Sequence, residues 1–169
     1  SPYLLPLLEK LALAQLHQGD LDEATAARRR MMNIAIAAFG TDAATTAEAM
    51  SSLAAVEIES QRYLDAEGLL VISENVLTAR LGDDAQALIP VLTGRARIAL
   101  ARGDVEAARS QAERAEKLMA ANRFPRSSEP LRVLGAVAAA ERRFEAGIAV
   151  RYQAIAFDRV AAGYHGPLY

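Results

Sequence analysis

The side chains best suited to catalysis in this chain are its two histidines, His17 and His165. Histidine serves as a general base or as a metal ligand, but either role needs a carboxylate or a second ligand at a fixed spacing. His17 has no such neighbour, which favours a solvated or surface-lining residue. The chain has no cysteine, and it has no nucleophile-elbow, Walker or metalloprotease motif. The sequence therefore predicts a protein that is not an enzyme and that uses no metal or other cofactor.

The most concentrated charge is a run of three arginines at residues 28–30, which could contact phosphate groups. Asp20, Asp22 and Glu23 lie one or two helical turns away, so we expect a solvated face with ion pairs along the helix. The net charge is only −2, with 24% charged residues. This balance favours neither a nucleic acid nor a membrane surface as partner.

Composition predicts a folded, soluble protein, because 52% of the residues are hydrophobic and no apolar stretch approaches the ~20 residues of a membrane span. Only 5% are aromatic while alanine is abundant, which is typical of closely packed helices. Residues 1–20 lack the features of a signal peptide. The chain starts at Ser1, which fits a piece of a longer protein. The compartment is not indicated, although the cytoplasm is slightly favoured over export.

The residues that could position a site belong to an internal repeat. Residues 19–24, Gly-Asp-Leu-Asp-Glu-Ala, return as Gly-Asp-Val-Glu-Ala-Ala at residues 103–108, with a weaker copy at residues 62–66. The alanines of these three turns, Ala24, Ala66 and Ala108, are 42 residues apart. A fourth turn, residues 143–147, follows 39 residues after the third. The spacing predicts four helix–turn–helix units.

Each first helix also repeats a small residue and, four positions earlier, a large apolar one, which places both on one helical face. A small residue on each of two antiparallel helices lets their axes approach closely. The small series is Ala12, Ala54, Ala96 and Gly135, and the large series is Leu8, Met50, Leu92 and Leu131.

The pattern predicts an all-α chain of eight helices, at about 3–18, 21–38, 43–60, 63–80, 87–102, 105–121, 128–142 and 144–162. Gly40 is expected to end a helix in a left-handed conformation, with Thr41 or Asp42 capping the next one. Proline is tolerated only in the first turn of a helix, so Pro6 and Pro90 indicate helices that begin later than the period alone implies, or that are kinked.

These residues resemble the tetratricopeptide repeat, in the long 42-residue variety found in kinesin light chain and in many bacterial multidomain proteins. The resemblance covers essentially the whole chain, as repeats at about 3–40, 43–82, 85–124 and 127–165. It implies a right-handed α-solenoid whose concave face is lined by the first helix of each repeat. The tyrosine expected in that helix is replaced by Gln15, Glu57 and Ala99. The array is expected to continue beyond Tyr169.

The resemblance also implies which side chains face a partner. Transferring the groove positions residue by residue gives an acidic N-terminal half and a basic C-terminal half, suited to an extended peptide or a partner helix. The Lys/Asn clamp for a terminal carboxylate is absent at these positions. The partner-binding residues predicted in this way are Glu9, Leu13, His17, Ser51, Ala55, Glu59, Thr93, Arg97 and Arg132, with Leu16, Ile58, Leu100 and Ala136 beside them.

The function predicted from the sequence is a noncatalytic protein–protein interaction scaffold. Its partner would be a peptide segment or a domain, including one from the same parent chain. Two alternatives remain open at this point: a structural module that self-associates by stacking its terminal repeats into a homo-oligomer, and a regulatory or sensor domain of a larger bacterial signalling protein.

Overall fold

A computed structural model of the chain describes residues 2–121, 128–141, 148 and 150–156, and it divides into two compact units, residues 1–94 and 95–169. Within the described ranges every regular element is helical and no strand occurs. A 3₁₀ turn, Pro2–Leu4, precedes α1 (Leu5–Gln18), α2 (Leu21–Phe39), α3 (Ala44–Glu59), α4 (Tyr63–Leu81), α5 (Leu88–Ala101), α6 (Val105–Ala120) and α7 (Glu129–Ala140). Ile148 and residues 150–156 are helical and are called α8 here.

The all-α prediction is confirmed, and the ends of α1 to α7 lie within two residues of the predicted ones. Pro6 is the second residue of α1 and Pro90 the third of α5, so both helices begin late enough to hold proline in their first turn. The predicted fourth turn, residues 143–147, and His165 lie outside the described residues.

The turn inside each repeat has one backbone geometry, used three times. Gly19, Gln61 and Gly103 all have positive φ angles, of 83°, 60° and 80°. After each of them the next backbone N–H donates to the carbonyl five residues back, which closes the end of the first helix as in a Schellman motif. These bonds are Asp20 to Gln15 at 2.9 Å, Arg62 to Glu57 at 2.8 Å and Asp104 to Ala99 at 2.9 Å.

The linkers between repeats differ from expectation in two ways. Gly40 and Gly82 have φ of 86° and 89° but ψ of 169°, which is a region open to glycine alone and is not the left-handed helical one. The residue before α3 is Ala43, and no side chain caps that helix. The prediction that Thr41 or Asp42 caps α3 is therefore wrong.

Other contacts fix the first linker instead. The Thr46 hydroxyl, fully buried, donates to the Gly40 carbonyl oxygen at 2.7 Å. Arg80, near the end of α4, donates to the backbone oxygen of Asp42 at 2.9 Å and also pairs with its carboxylate. The aspartate therefore ties this linker to the end of the following repeat.

The core of each unit follows the alanine series. In unit 1, α1 packs on α2, α2 on α3 and α3 on α4. In unit 2, a buried cluster joins residues of α5, α6 and α7. The six alanines of the predicted small-residue series have no exposed surface at all: Ala12, Ala24, Ala54, Ala66, Ala96 and Ala108.

Ala54→Leu should destabilise the protein by about 1–3 kcal/mol, because a larger side chain has no space in the α3–α4 contact. Arg30→Ala, at an exposed residue of α2, is the control and should change the free energy of unfolding by less than about 0.5 kcal/mol. Urea titrations measure both. Equal midpoints for the two variants would contradict the repeat register.

Gln61→Gly should stabilise the protein by about 1 kcal/mol, because a side chain in the left-handed region is strained and glycine is not. The reverse change, Gly19→Ala, meets no neighbouring atom within 4 Å, so its cost should come from the backbone alone. A loss of similar size is expected in the same titrations. A destabilised Gln61→Gly variant would show that the glutamine side chain contributes more than its backbone strain costs.

Candidate partner-binding surface

Unit 2 carries a depression of about 340 Å³ between α5 and α7. Residues three and four apart on a helix share one face, and both helices line the depression in this way. From α5 come Arg97, Leu100 and Ala101, and from α7 come Glu129, Arg132, Val133 and Ala136. The floor is therefore apolar and the rim is charged.

Two arginines share one carboxylate at the rim. Arg97 Nη1 lies 3.9 Å from Glu129 Oε1, and Arg132 Nη1 lies 3.5 Å from Glu129 Oε2. The side chain of Arg132 is 55% exposed and that of Arg97 is 27% exposed. Pairs this open to solvent contribute little to stability. The three groups leave a net positive charge beside an apolar floor.

The structure brings together the residues predicted for this part of the surface. Arg97 and Arg132 lie on the same depression, as do Leu100 and Ala136, which the resemblance to the tetratricopeptide repeat placed beside them. Their role in binding stays a prediction.

In unit 1 most of the predicted residues are accessible. Leu13 and His17 on α1 and Ala55 and Glu59 on α3 are exposed. Glu9 is half-buried, and its carboxylate pairs with the guanidinium of Arg28 on α2. These five side chains leave unit 1 with an exposed surface of mixed polarity.

Ser51 and Thr93 are different, because both side chains are buried. The Ser51 hydroxyl donates to the Glu48 carbonyl at 3.0 Å, and the Thr93 hydroxyl donates to the Ile89 carbonyl at 2.7 Å. Each hydroxyl is thus satisfied by its own helix, and neither residue is accessible to a partner. We leave both out of the proposed surface.

The three arginines of α2 form the expected solvated face in part, since Arg29 and Arg30 are exposed and Arg28 is buried. Arg28 is only 5% exposed and pairs with Glu9 of α1, while Arg29 pairs with Glu57 of α3 at 3.1 Å. These ion pairs run between helices rather than along α2, because Arg28 reaches a carboxylate on α1 and Arg29 reaches one on α3.

Glu57 is the centre of this network and is 1% exposed. Its carboxylate accepts a hydrogen bond from Arg29 at 3.1 Å and another from Arg62 Nε. Arg62 also donates to the Thr25 hydroxyl at 3.0 Å. A buried carboxylate is costly unless it is paired and hydrogen-bonded, and these contacts meet that requirement. The network connects α2, α3 and the turn before α4.

No family model matches this chain, and no curated protein does. Among solved structures, the chain is similar to the crystal structure of BtubC (BKLC) from P. vanneervenii, a kinesin-light-chain-like protein of the tetratricopeptide type. The match covers 100% of this chain and 69% of BtubC, at 19% sequence identity and a TM-score of 0.70.

The fold is that of the kinesin-light-chain-like tetratricopeptide repeat. At this level of identity the likeness shows the fold alone, and the alanine and turn series described above are its repeated elements.

The buried glutamate occupies the position of the tyrosine expected in the first helix of such a repeat. Sequence reasoning noted that Gln15, Glu57 and Ala99 replace that tyrosine, but it did not predict an ion-pair centre. The sequence feature that could have indicated an ion pair is Glu57 itself, a charged residue at a core position, with Arg62 at the next turn and Arg29 on the preceding helix. Pattern alone does not show that Arg29 and Arg62 reach it.

Within the described residues, no group of three or more His, Asp or Glu side chains could hold a metal ion. His17 is exposed on α1. None of the helices described there combines the length and the apolar character needed to cross a bilayer.

Glu57→Ala should destabilise the protein by about 2–3 kcal/mol, because it removes two charge-assisted hydrogen bonds from a buried site. Arg29→Ala should cost less than about 1 kcal/mol, since the Arg29 side chain is 57% exposed and Glu57 keeps its bond to Arg62. Urea unfolding of both variants tests this order.

The control is Glu48→Ala, which removes an exposed glutamate of the same helix and should change stability by less than about 0.5 kcal/mol. A Glu57→Ala variant as stable as this control would show that the buried carboxylate contributes nothing.

Proposed function

We propose that this protein is a noncatalytic scaffold that binds a peptide segment or a partner domain, and that the depression between α5 and α7 is part of its binding surface. The fold supports the general role, since tetratricopeptide-type repeats typically mediate protein–protein contacts. The observation that carries the specific site is the pair Arg97 and Arg132 above an apolar floor.

The charge of the rim favours an acidic side chain of the partner. Arginine carries five N–H donors in a planar fork whose geometry matches that of a carboxylate. A carboxylate bound beside Arg132 would meet two positive groups and one negative group. Glu129 would then also orient the arginines and disfavour a partner carboxylate placed directly against it.

The apolar floor favours an apolar residue next to the acidic residue of the partner. Leu100, Val133 and Ala136 offer apolar surface, and a volume of about 340 Å³ lies at the small end of ligand-pocket sizes. It suits one or two side chains, as an extended peptide or one face of a helix would present. We therefore expect an acidic and an aliphatic or aromatic residue close together in the bound segment.

The exposed residues of unit 1 extend the proposal to a second contact region. Leu13 and Ala55 provide apolar surface there, and Glu59 provides a carboxylate. A segment bound in this region would meet the apolar surface of Leu13 and Ala55. Because Glu9 is already paired with Arg28, its contribution to the charge of this region is small.

The double variant Arg97→Glu/Arg132→Glu should lose partners that the unaltered protein captures from a lysate of the source organism. Mass spectrometry identifies the captured proteins. With a fragment of such a partner, fluorescence anisotropy should then show binding at least about tenfold weaker for the double variant, and weakened by salt for the unaltered protein.

The matched control, Arg30→Glu/Lys117→Glu, makes the same change of net charge at two exposed residues outside the depression. It should bind like the unaltered protein. Circular dichroism confirms that each variant is folded. Equal capture by both double variants would exclude the depression as the binding surface.

A further inference from the structure

The first helix exposes an apolar face that later first helices bury. Leu4, Leu7 and Leu11 lie on one side of the chain start, and Leu7 is 64% exposed. The residues 42 positions later, Thr46, Ala49 and Leu53, are buried in unit 1, where α3 packs on α2 and α4. Leu88 and Val91, 42 positions further on, are also buried. This face of a first helix is therefore a helix-packing surface in the following repeats.

The last described helix also exposes an apolar face. Ile148, Tyr152 and Ile155 are spaced by four and three residues, and Tyr152 is 59% exposed. When the repeats are aligned on their turns, these three residues correspond to Thr25, Arg29 and Met32 of α2. Ile148 also corresponds to Arg109 of α6.

Both earlier helices use this face to contact the first helix of the next repeat. In unit 1, Arg29 of α2 pairs with Glu57 of α3. In unit 2, Arg109 of α6 pairs with Glu141, the residue that follows α7. Ile148 of α8 thus occupies the position of Thr25, which is buried, and Tyr152 occupies that of Arg29, which reaches Glu57 of α3 while 57% of its side chain stays exposed.

We propose that these two surfaces bind each other between copies of this chain, so that α1 of one molecule packs on α8 of the next as the first helix of a following repeat would. The contact continues a junction that the fold already contains, α2 with α3 and α6 with α7. It joins two different surfaces, so one molecule can bind one copy through α1 and another through α8.

One pair of charges sets the strength of this association. In unit 1 a Cβ atom on Gly94 would lie 3.0 Å from Leu70 Cδ1, and in unit 2 Ala112 and Val133 share one buried cluster. The corresponding residues at the junction between copies are Arg151 on α8 and Lys10 on α1, both exposed. Two like charges meet there, so the association is weak, reversible and strengthened by salt.

Sedimentation velocity of the full 169-residue chain, from micromolar to several hundred micromolar, tests the proposal. The average mass should rise above 18.1 kDa with concentration. Lys10→Glu should lower the dissociation constant about fivefold, because it opposes Arg151 with a carboxylate, and Arg151→Glu should do the same. The double variant Lys10→Glu/Arg151→Glu, which again opposes like charges, should lose this gain.

A complementation experiment distinguishes this contact from other ones and from misfolding. Leu7→Asp and Tyr152→Asp should each be monomeric alone, because each variant has lost one of the two surfaces and its remaining surface finds no partner on another copy. Mixed together they should form a one-to-one dimer that grows no further. Folding is checked by circular dichroism, and Arg97 and Arg132 are unchanged, so the outcome is independent of the proposed peptide site.

Three results would overturn the proposal. The unaltered chain and Lys10→Glu could both keep the monomer mass at every concentration. Leu7→Asp could block assembly while Tyr152→Asp does not, which would indicate pairing of α1 with α1. The charge variants could also act additively, which would show that Lys10 and Arg151 do not meet.

Discussion

The close approach of helices at alanine is the constraint on which the rest of this structure depends. Six alanines of the repeated series have no exposed surface, and each lies where a larger side chain would separate two helices. Because the helices meet at these points, the 42-residue period of the sequence becomes a period in space. A residue at a given repeat position therefore lies at the same place within its own helix pair, whatever its own chemistry.

The polar contacts are arranged around that fixed geometry. The Glu57 carbonyl closes its own turn by accepting the Arg62 N–H at 2.8 Å, while the Glu57 carboxylate accepts a bond from the Arg62 side chain. One residue thus ends a helix and holds its neighbours. In the equivalent turns Gln15 and Ala99 provide the same carbonyl bond without the ion pairs. The backbone bond is common to the three turns that the structure describes, and among these turns the buried charge network belongs to that of the second repeat.

The helices and turns could be predicted from the sequence because they depend on the residue types at each turn and on the 42-residue period of the repeat. The positive φ at Gly19 and Gly103 could be expected from their residue type, whereas that at Gln61 follows only from its place in the repeat. Contacts between elements were harder to predict. Arg28 looked like a surface residue from its charge, but it is buried because Glu9 on α1 neutralises it. Position in the period gives the direction of a side chain, while its solvation depends on a partner elsewhere in the chain.

The same distinction explains what could be predicted of the candidate site. Glu9, Ser51, Thr93 and Arg132 hold one repeat position, yet the two hydroxyl residues are buried and Arg132 is half exposed. A short side chain at this position bonds to its own helix, and a long charged one extends beyond the packed surface to reach solvent. Side-chain length therefore decides whether this position contributes to the core or to a surface. This position can vary in this way without disturbing the alanine contacts, so the surface of one repeat can become charged, as at Arg132, while the fold stays unchanged.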